Sequence, residues 1–334
     1  MPKRKNPQPK EQWESKYGVT TLIHNSLEQR ERFLHLKDRE YSQQRFVDIP
    51  TLQELGVYDG VHKLFSNIGW ERLLTLAPME SYKNTTIEFL QSLEFNDNAK
   101  CLSFRLMRLQ FKLSLDDLSG FVGISKFNTY GPKLGYMREK NNLFKAQAKA
   151  FWKEITGLDV YEARSAKASH IIHPVLRVAL RIIANLVFPQ EDVSRAGKME
   201  LEILWCMVTG LKRPHFGAFL ASKLLKVSTS DSGPIHCGGI ISYLATRLTC
   251  AELFESKRPG LEKITQGTNA ITSNVLVASS FFRKEGDGSI TWLVQGEPHF
   301  RVPAGDFSSL QLQQDITQTR WCLPKNTSAN STSR

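Results

Sequence analysis

Helical spacing of apolar residues dominates the pattern of hydrophobic and polar positions through the middle of the chain. Apolar side chains recur every three or four residues in nine stretches, and this period predicts amphipathic helices that bury one face. The stretches cover residues 61–68, 70–74, 82–93, 115–122, 144–155, 174–187, 199–207, 216–227 and 240–248. A tenth and more exposed helix is predicted over residues 27–45.

Two segments switch to the alternating pattern of strands. Apolar residues alternate with polar ones over residues 101–106 and again over 109–113, which predicts a strand pair. Ser114 then opens a helix, because Asp117 three residues later completes a capping box. A second pair is predicted from Phe281 onwards, with glycines at its turn. The pattern therefore predicts a mainly α protein with a bundle-like helical body and one or two short β-hairpins.

The polarity of the two ends sets the predicted domain boundaries. Residues 1–45 are polar and charged, which predicts a largely flexible, basic arm. Residues 46–302 form the predicted body, with possible subdomains 46–135 and 136–302 on either side of a Gly- and Pro-containing stretch. Residues 303–334 are rich in Gln, Ser, Thr and Asn, which predicts a disordered polar tail.

One apolar helix carries two unexpected charges. In the segment HPVLRVALRIIANLVF, residues 173–188, Arg177 and Arg181 are one helical turn apart and share a narrow stripe. An unpaired guanidinium in a dry interior costs several kcal/mol, so we expect both arginines to pair with carboxylates inside the fold. The candidate partners are Glu200 and Glu202, or Glu191 and Asp192. Alternatively, the stripe faces a groove and meets a phosphate or a neighbouring subunit.

Charge adds a candidate partner to this picture. The net charge is +11 and the isoelectric point is about 9.4, so the chain attracts polyanions, and RNA is the expected one. Lys3, Arg4, Lys5 and Lys10 precede any acidic residue and are the candidate contacts. The same cluster can serve as a nuclear-import signal. Together with five widely spaced cysteines, it indicates a reducing cytoplasmic or nuclear location rather than secretion.

Several catalytic and binding classes find no support. Asp231, Ser232 and Gly233 spell the aspartic-protease triplet, but polar residues precede it where a buried strand is needed, so a surface turn is expected. The pairs His170/His173 and His236/Cys237 lack two further ligands at finger spacing. We therefore expect no catalytic site, cofactor, metal or small-molecule substrate. No run of about 20 apolar residues predicts a membrane span.

An ordered series of segments resembles a known family. The segments run from RFVDIPTLQELGVYDGVHKLFSNIGWERLLTL and YKNTTIEFLQSLEF through LSFRLMRLQFKLSLDDLSGFVGI, FWKEITG and HPVLRVALRIIANLVF to IHCGGIISYLATRL. In this order they resemble the first-open-reading-frame protein of Athila-type plant LTR retrotransposons, over roughly residues 45–255. Plant mobile domains are more distantly similar.

The resemblance implies a function. This reading frame occupies the gag position, so it implies a structural protein that self-assembles and associates with RNA without catalysis. Two alternatives stay open: a domesticated nuclear protein-interaction module, and a truncated element copy with no function.

Overall fold

The computed structural model describes residues 13–17, 20–124, 142–163, 165–189, 194–293 and 300–302, and about half of them are helical. The α-helices are α1 Leu27–Lys37, α2 Ile49–Glu54, α3 Tyr58–Asn67, α4 Lys83–Ser92, α5 Leu115–Phe121, α6 Asn142–Thr156, α7 Pro174–Leu186, α8 Lys198–Thr209, α9 Phe216–Thr229, α10 Gly238–Ala245, α11 Ala251–Lys257 and α12 Ser273–Ala278. Short 3-10 turns cover Glu71–Thr75, Ala168–His170 and Arg258–Gly260.

The strands of the described residues form four small sheets. They are β1 Trp13–Tyr17, β2 Thr20–His24, β3 Phe46–Val47, β4 Glu94–Asn96, β5 Cys101–Leu106, β6 Leu109–Ser114, β7 Ala270–Ile271, β8 Phe282–Lys284, β9 Ile290–Trp292 and β10 Phe300–Val302. Three sheets are antiparallel, with the orders β1-β2, β4-β5-β6 and β10-β9-β8, whereas β3 and β7 pair in parallel. The mainly α character and both predicted strand pairs are confirmed. A bundle arrangement of the helices is not confirmed.

Helix α7 lies at the centre of the body. Every residue from Pro174 to Leu186 is buried, and α7 packs against α3, α8 and β3. Pro174 at the first helical position suits this start, because its fixed φ is helical and its missing N–H would have no intrahelical partner. A helix that is apolar on nearly every side can only be stable inside a core, so the position of α7 follows from its sequence.

Local signals in the sequence set several element ends. Ser114 and Asp117 form the predicted capping box at the start of α5. Gly69 has a φ of +75° just after α3, the left-handed conformation expected of a residue that follows a helix end. The four tryptophans at positions 70, 152, 205 and 292 are buried, as their apolar contexts predict.

The N-terminal region departs from the expectation of a flexible arm over residues 1–45. From β2 onwards it packs into the body: Leu22, Phe33 and Leu36 are buried, and α1 contacts α4. The Arg32 Nη1 donates a hydrogen bond of 2.6 Å to the Leu93 carbonyl at the end of α4. Arg32 therefore makes an internal contact although the sequence of α1 is highly charged. Its long side chain reaches a main-chain acceptor at the C-terminal end of α4.

Three sequence-based predictions concern residues outside the described ranges. Residues 1–12 and the tail after residue 302 are among them, as is most of the stretch proposed to divide two subdomains. The first two remain predictions, and so does the division at residue 135.

A buried carboxylate on α8 should make the stability of the protein depend on pH. Burial raises the pKa of Glu202 from 4.5 to about 7. Between these pH values the folded chain keeps a proton that the unfolded chain has lost, so stability falls as the pH rises through this window. Replacing Glu202 by glutamine should therefore raise the free energy of unfolding at pH 8.5 by on the order of 2 kcal/mol, with little change at pH 4.5.

Urea denaturation at the two pH values checks this prediction. Glu252→Gln, on an exposed position of α11, is the matched control and should leave the pH profile unchanged. An equal effect of Glu202→Gln at both pH values would contradict a role for ionisation.

Candidate functional site

The two arginines of α7 meet a single loop between α12 and β8. Arg177 and Arg181 are 1% and 4% exposed, although a charged side chain is rarely this deeply buried. The ring of Phe281 lies 4.7 Å from the guanidinium carbon of Arg177 and 5.9 Å from that of Arg181. Each guanidinium therefore gains a cation–π contact, which offsets part of the loss of hydration.

Two main-chain carbonyls accept hydrogen bonds from Arg177. Its Nη1 donates to the Leu293 carbonyl, and its Nη2 donates to the Ser280 carbonyl at 3.3 Å. The expected pairing with Glu200 or Glu202 is therefore wrong for this arginine. Carbonyl oxygens provide hydrogen bonds but no full negative charge, so within the described part of the chain no carboxylate pairs with Arg177.

Arg181 contacts the same loop one turn further along α7. Its Nη2 lies 3.2 Å from the Ser279 hydroxyl, which itself donates to the Val275 carbonyl of α12. The other candidate carboxylates, Glu191 and Asp192, lie outside the described residues.

Ser280 in this loop holds an unusual backbone conformation. Its φ is +56°, a left-handed value that costs a non-glycine residue of order 1–2 kcal/mol. This conformation accompanies the hydrogen bond from Arg177 to the Ser280 carbonyl. The loop is therefore held in place by the arginines of α7.

These side chains line a cavity of about 450 Å³. Its lining residues are Arg45, Lys167, Ala168, Ser169, Arg177, Arg181, Ser194, Ser279, Ser280 and Phe281. All four of the charged side chains in this described lining are cationic. We call this space the basic cavity; its chemistry is that of an anion-binding site.

Arg45 also borders a second, smaller cavity. This cavity has a volume of about 210 Å³ and is lined by Ser42, Gln43, Gln44, Arg45, Asn185, Pro189, His236, Gln266 and Gly267. Burial, together with the positive charges of Arg45 and Lys223, lowers the pKa of His236 to about 4, so this histidine is neutral at pH 7. A protonated His236 would add to the positive charge already present there.

Burial also affects the arginines themselves. It lowers the pKa of Arg177 to about 10 and lowers that of Arg45 from its usual value. Arg177 remains charged at pH 7, since its pKa of about 10 is three units higher. A desolvated positive charge interacts strongly with any anion that reaches it, because the local dielectric constant is low.

The chain matches one known family. The ATHILA ORF-1 family model matches residues 13–223, which is more than half of the 334 residues. The chain belongs to the ATHILA ORF-1 family. No curated protein and no solved structure matches it. The matched range starts at β1, which agrees with the packing of the N-terminal region into the body.

The matched range includes only part of the lining of the basic cavity in this ATHILA ORF-1 protein. Arg45, Lys167, Arg177 and Arg181 lie within the matched range, whereas the loop of residues 279–281 follows it. Sequence reasoning found the two arginines of α7 because charge on an apolar helix is unusual. It missed Arg45 and the loop, whose positions beside α7 no local pattern reveals.

The other residues considered as catalytic, metal-binding or RNA-binding candidates lie elsewhere in the sequence of this ATHILA ORF-1 protein. Asp231, Ser232 and Gly233 form the expected exposed turn, where Arg39 donates to the carbonyls of Ser232 and Gly233. The His173 Nδ1 accepts a hydrogen bond from the Val175 amide and caps α7. Lys3, Arg4, Lys5 and Lys10 lie outside the described residues.

The structure also bears on metal sites and on membrane-spanning helices. No group of three metal-binding side chains occurs within the described ranges. Among the described helices, none combines the length and the apolar character that crossing a bilayer requires.

Proposed function

We propose that this ATHILA ORF-1 protein is a gag-like structural component of an LTR retrotransposon that self-assembles and associates with RNA. The observation that carries the proposal is the family match over residues 13–223. The ORF-1 family is generally non-catalytic, so binding and assembly are the activities that remain to be assigned.

The charge of the chain supports RNA as the partner. A net charge of +11 creates a long-range attraction for a polyanion, and each neutralised phosphate releases counterions into solution. In our proposal the cluster of Lys3, Arg4, Lys5 and Lys10 makes the main contacts with RNA. The same cluster would allow the protein to enter the nucleus from the cytoplasm.

An exposed apolar pair supports self-association. Leu27 and Leu34 are 56% and 47% exposed and lie seven residues apart on α1, so they occupy the same face two turns apart. The opposite face of α1 packs into the body through Phe33 and Leu36. Apolar side chains on the outward face would gain from burial against a second copy of the chain.

RNA binding can be tested by removing the N-terminal charges. Replacing Lys3, Arg4, Lys5 and Lys10 by alanine should weaken the binding of a single-stranded RNA at least tenfold at 100 mM salt. It should also flatten the dependence of log K on log salt, because each lost phosphate contact removes about 0.7 from the slope. Fluorescence anisotropy at several salt concentrations measures both effects.

A matched variant separates position from net charge. Lys63, Lys112, Lys198 and Lys226 are exposed and scattered over the body, and replacing them by alanine removes the same four charges. Equal losses of affinity in the two variants would mean that the N-terminal cluster has no special role. RNA binding that does not depend on salt would contradict the proposal itself.

Self-association can be tested on the outer face of α1. Replacing Leu27 and Leu34 by serine should lower the association constant at least tenfold in sedimentation-velocity experiments on the full chain at tens of micromolar. Leu211→Ser is the control, since Leu211 is 72% exposed but lies just beyond α8. A wild-type chain that stays monomeric at these concentrations, with and without RNA, would refute assembly.

A further inference from the structure

We propose that the basic cavity is a binding site for a compact phosphate anion, such as a phosphomonoester or a short polyphosphate. Arg45 and Lys167 would meet the anion near the surface, and Arg177 and Arg181 would stabilise it from below. The proposal does not depend on RNA binding or assembly, because it concerns a cavity in the folded body.

The first argument is the charge balance of the cavity. The side chains of Arg45 and Lys167 make no hydrogen bond or ion pair with the described residues, and Lys167 is exposed. The hydrogen bonds of Arg177 go to carbonyl oxygens. Three cations without a carboxylate partner among the described residues therefore border one space. A dianionic phosphate would neutralise two of them, and guanidinium groups are its best donors.

The second argument is size and polarity. A volume of about 450 Å³ lies within the range of about 300–1,000 Å³ that is usual for small-ligand sites. The hydroxyl of the exposed Ser280 offers a neutral donor for a phosphate oxygen. The left-handed backbone of Ser280 is held by Arg177. Strained residues held in this way concentrate at ligand sites.

The third argument is access, which favours a compact anion over the backbone of a nucleic acid. The deep guanidinium groups of Arg177 and Arg181 are at most 4% exposed, so only a group that enters the cavity can approach them. A terminal phosphate is smaller than a phosphodiester flanked by two sugars, so we expect it to reach these groups more readily. Phe281 is 3% exposed, so its ring offers no open face on which a base could stack.

The fourth argument is the local electrostatic environment. Arg177 and Arg181 are almost completely buried, so the floor of the cavity is poorly hydrated, and this burial also lowers the pKa of Arg177. In such surroundings a bound anion is attracted more strongly than it would be at the open surface.

The test uses the full chain and two probes, inorganic phosphate and tripolyphosphate, with isothermal titration calorimetry. We expect tripolyphosphate to bind with 1:1 stoichiometry and more tightly than phosphate. Arg45→Gln and Lys167→Gln, separately and together, should weaken it about tenfold each. Arg45 is partly exposed and Lys167 is exposed, and both side chains lack partners in the described part of the chain, so folding should be retained, as circular dichroism will check.

A matched double variant controls for general charge effects. Lys63→Gln with Lys198→Gln removes two exposed charges elsewhere and should leave tripolyphosphate binding within twofold of wild type. The proposal is overturned if wild type does not bind tripolyphosphate, or if the cavity and control variants lose affinity equally.

Two further arms identify the source of the anion. A 5′-phosphorylated RNA oligonucleotide that binds more tightly than its 5′-hydroxyl twin, and that tripolyphosphate displaces, would make an RNA end the natural ligand. Equal affinities for the two oligonucleotides, with tripolyphosphate still bound at the cavity, would assign a free phosphate anion. Binding that emerges only in the variant Glu191→Gln/Asp192→Asn would overturn the proposal, because the chain's own carboxylates would then fill the cavity.

Discussion

Replacing Gly217 by alanine should lower the free energy of unfolding by about 3 kcal/mol. A β-carbon at this position would lie 2.0 Å from the Leu115 carbonyl oxygen and 3.0 Å from the Ser119 hydroxyl. The first of these atoms belongs to the main chain of α5 and cannot rotate away, so α5 and α9 must separate. Overpacking of this kind usually costs about 1–3 kcal/mol.

The separation should also disturb the hydrogen bonds that join the two helices. The Gly217 amide donates to the Ser119 hydroxyl at 2.9 Å, and His215 Nε2 lies 3.0 Å from Asp116 Oδ1. A typical buried hydrogen bond contributes about 1 kcal/mol. The effect of the added methyl group therefore falls at the upper end of the usual range.

A second glycine in α5 provides the control for this prediction. A β-carbon on Gly120 would meet no atom within 4 Å, and Gly120 lies on the exposed side of the helix. Gly120→Ala should thus raise stability by up to about 1 kcal/mol, since alanine favours the helix. Urea denaturation of both variants measures the contrast. A Gly217→Ala protein within 0.5 kcal/mol of wild type would contradict the close packing of α5 on α9.

The same pair of helices shows where sequence reasoning succeeds and where it stops. The capping box of Ser114 and Asp117 is local, so it could be predicted from four residues. The approach of α9 could not, because Gly217 gives no sign of which main-chain atom requires its small size. Helices with strong apolar periods could be predicted because that signal is local, whereas the elements they pack against could not.

The parallel pair β3 and β7 is the clearest example of information that is not local. Each strand has two residues, and Phe46 pairs with Ala270 across more than two hundred positions. Two residues carry no readable alternation, and a parallel pair needs no characteristic turn. The folded N-terminal region was missed for a related reason. Its few apolar residues, such as Phe33, are separated by charged side chains that lie over the body.

The candidate site was predictable in part. Two charges on an apolar helix indicated something unusual at Arg177 and Arg181, and the structure places both beside one cavity. Glu200 and Glu202 were wrong as the partners of Arg177, because carbonyl oxygens and the face of Phe281 can also stabilise a guanidinium. A sequence lists carboxylates but does not reveal which carbonyls a fold leaves available. This lack of a compensating charge is the basis of the phosphate proposal.

Replacing Glu88 by alanine should destabilise the protein by about 3 kcal/mol. This carboxylate on α4 is 3% exposed and accepts hydrogen bonds from the amides of Met107 and Arg108, at 2.9 and 2.7 Å. Those residues form the turn between β5 and β6. Alanine would leave both amides without an acceptor, and each buried donor left unpaired costs about 1–3 kcal/mol. Glu88→Gln keeps an acceptor oxygen and should lose about half as much.

The turn itself offers a compensating substitution that tests this explanation. Met107 and Arg108 have φ values of +52° and +67°, the left-handed pair of a type I′ hairpin turn, which strongly favours glycine at its second position. Adding Arg108→Gly to Glu88→Ala should recover about 1 kcal/mol, because glycine adopts this conformation without steric cost. Adding Arg108→Ala removes the same ion pair with Glu14 but keeps the strain, so it should recover nothing. Equal recovery by glycine and alanine in thermal and urea denaturation would show that the left-handed backbone at residue 108 costs no stability once Glu88 is removed.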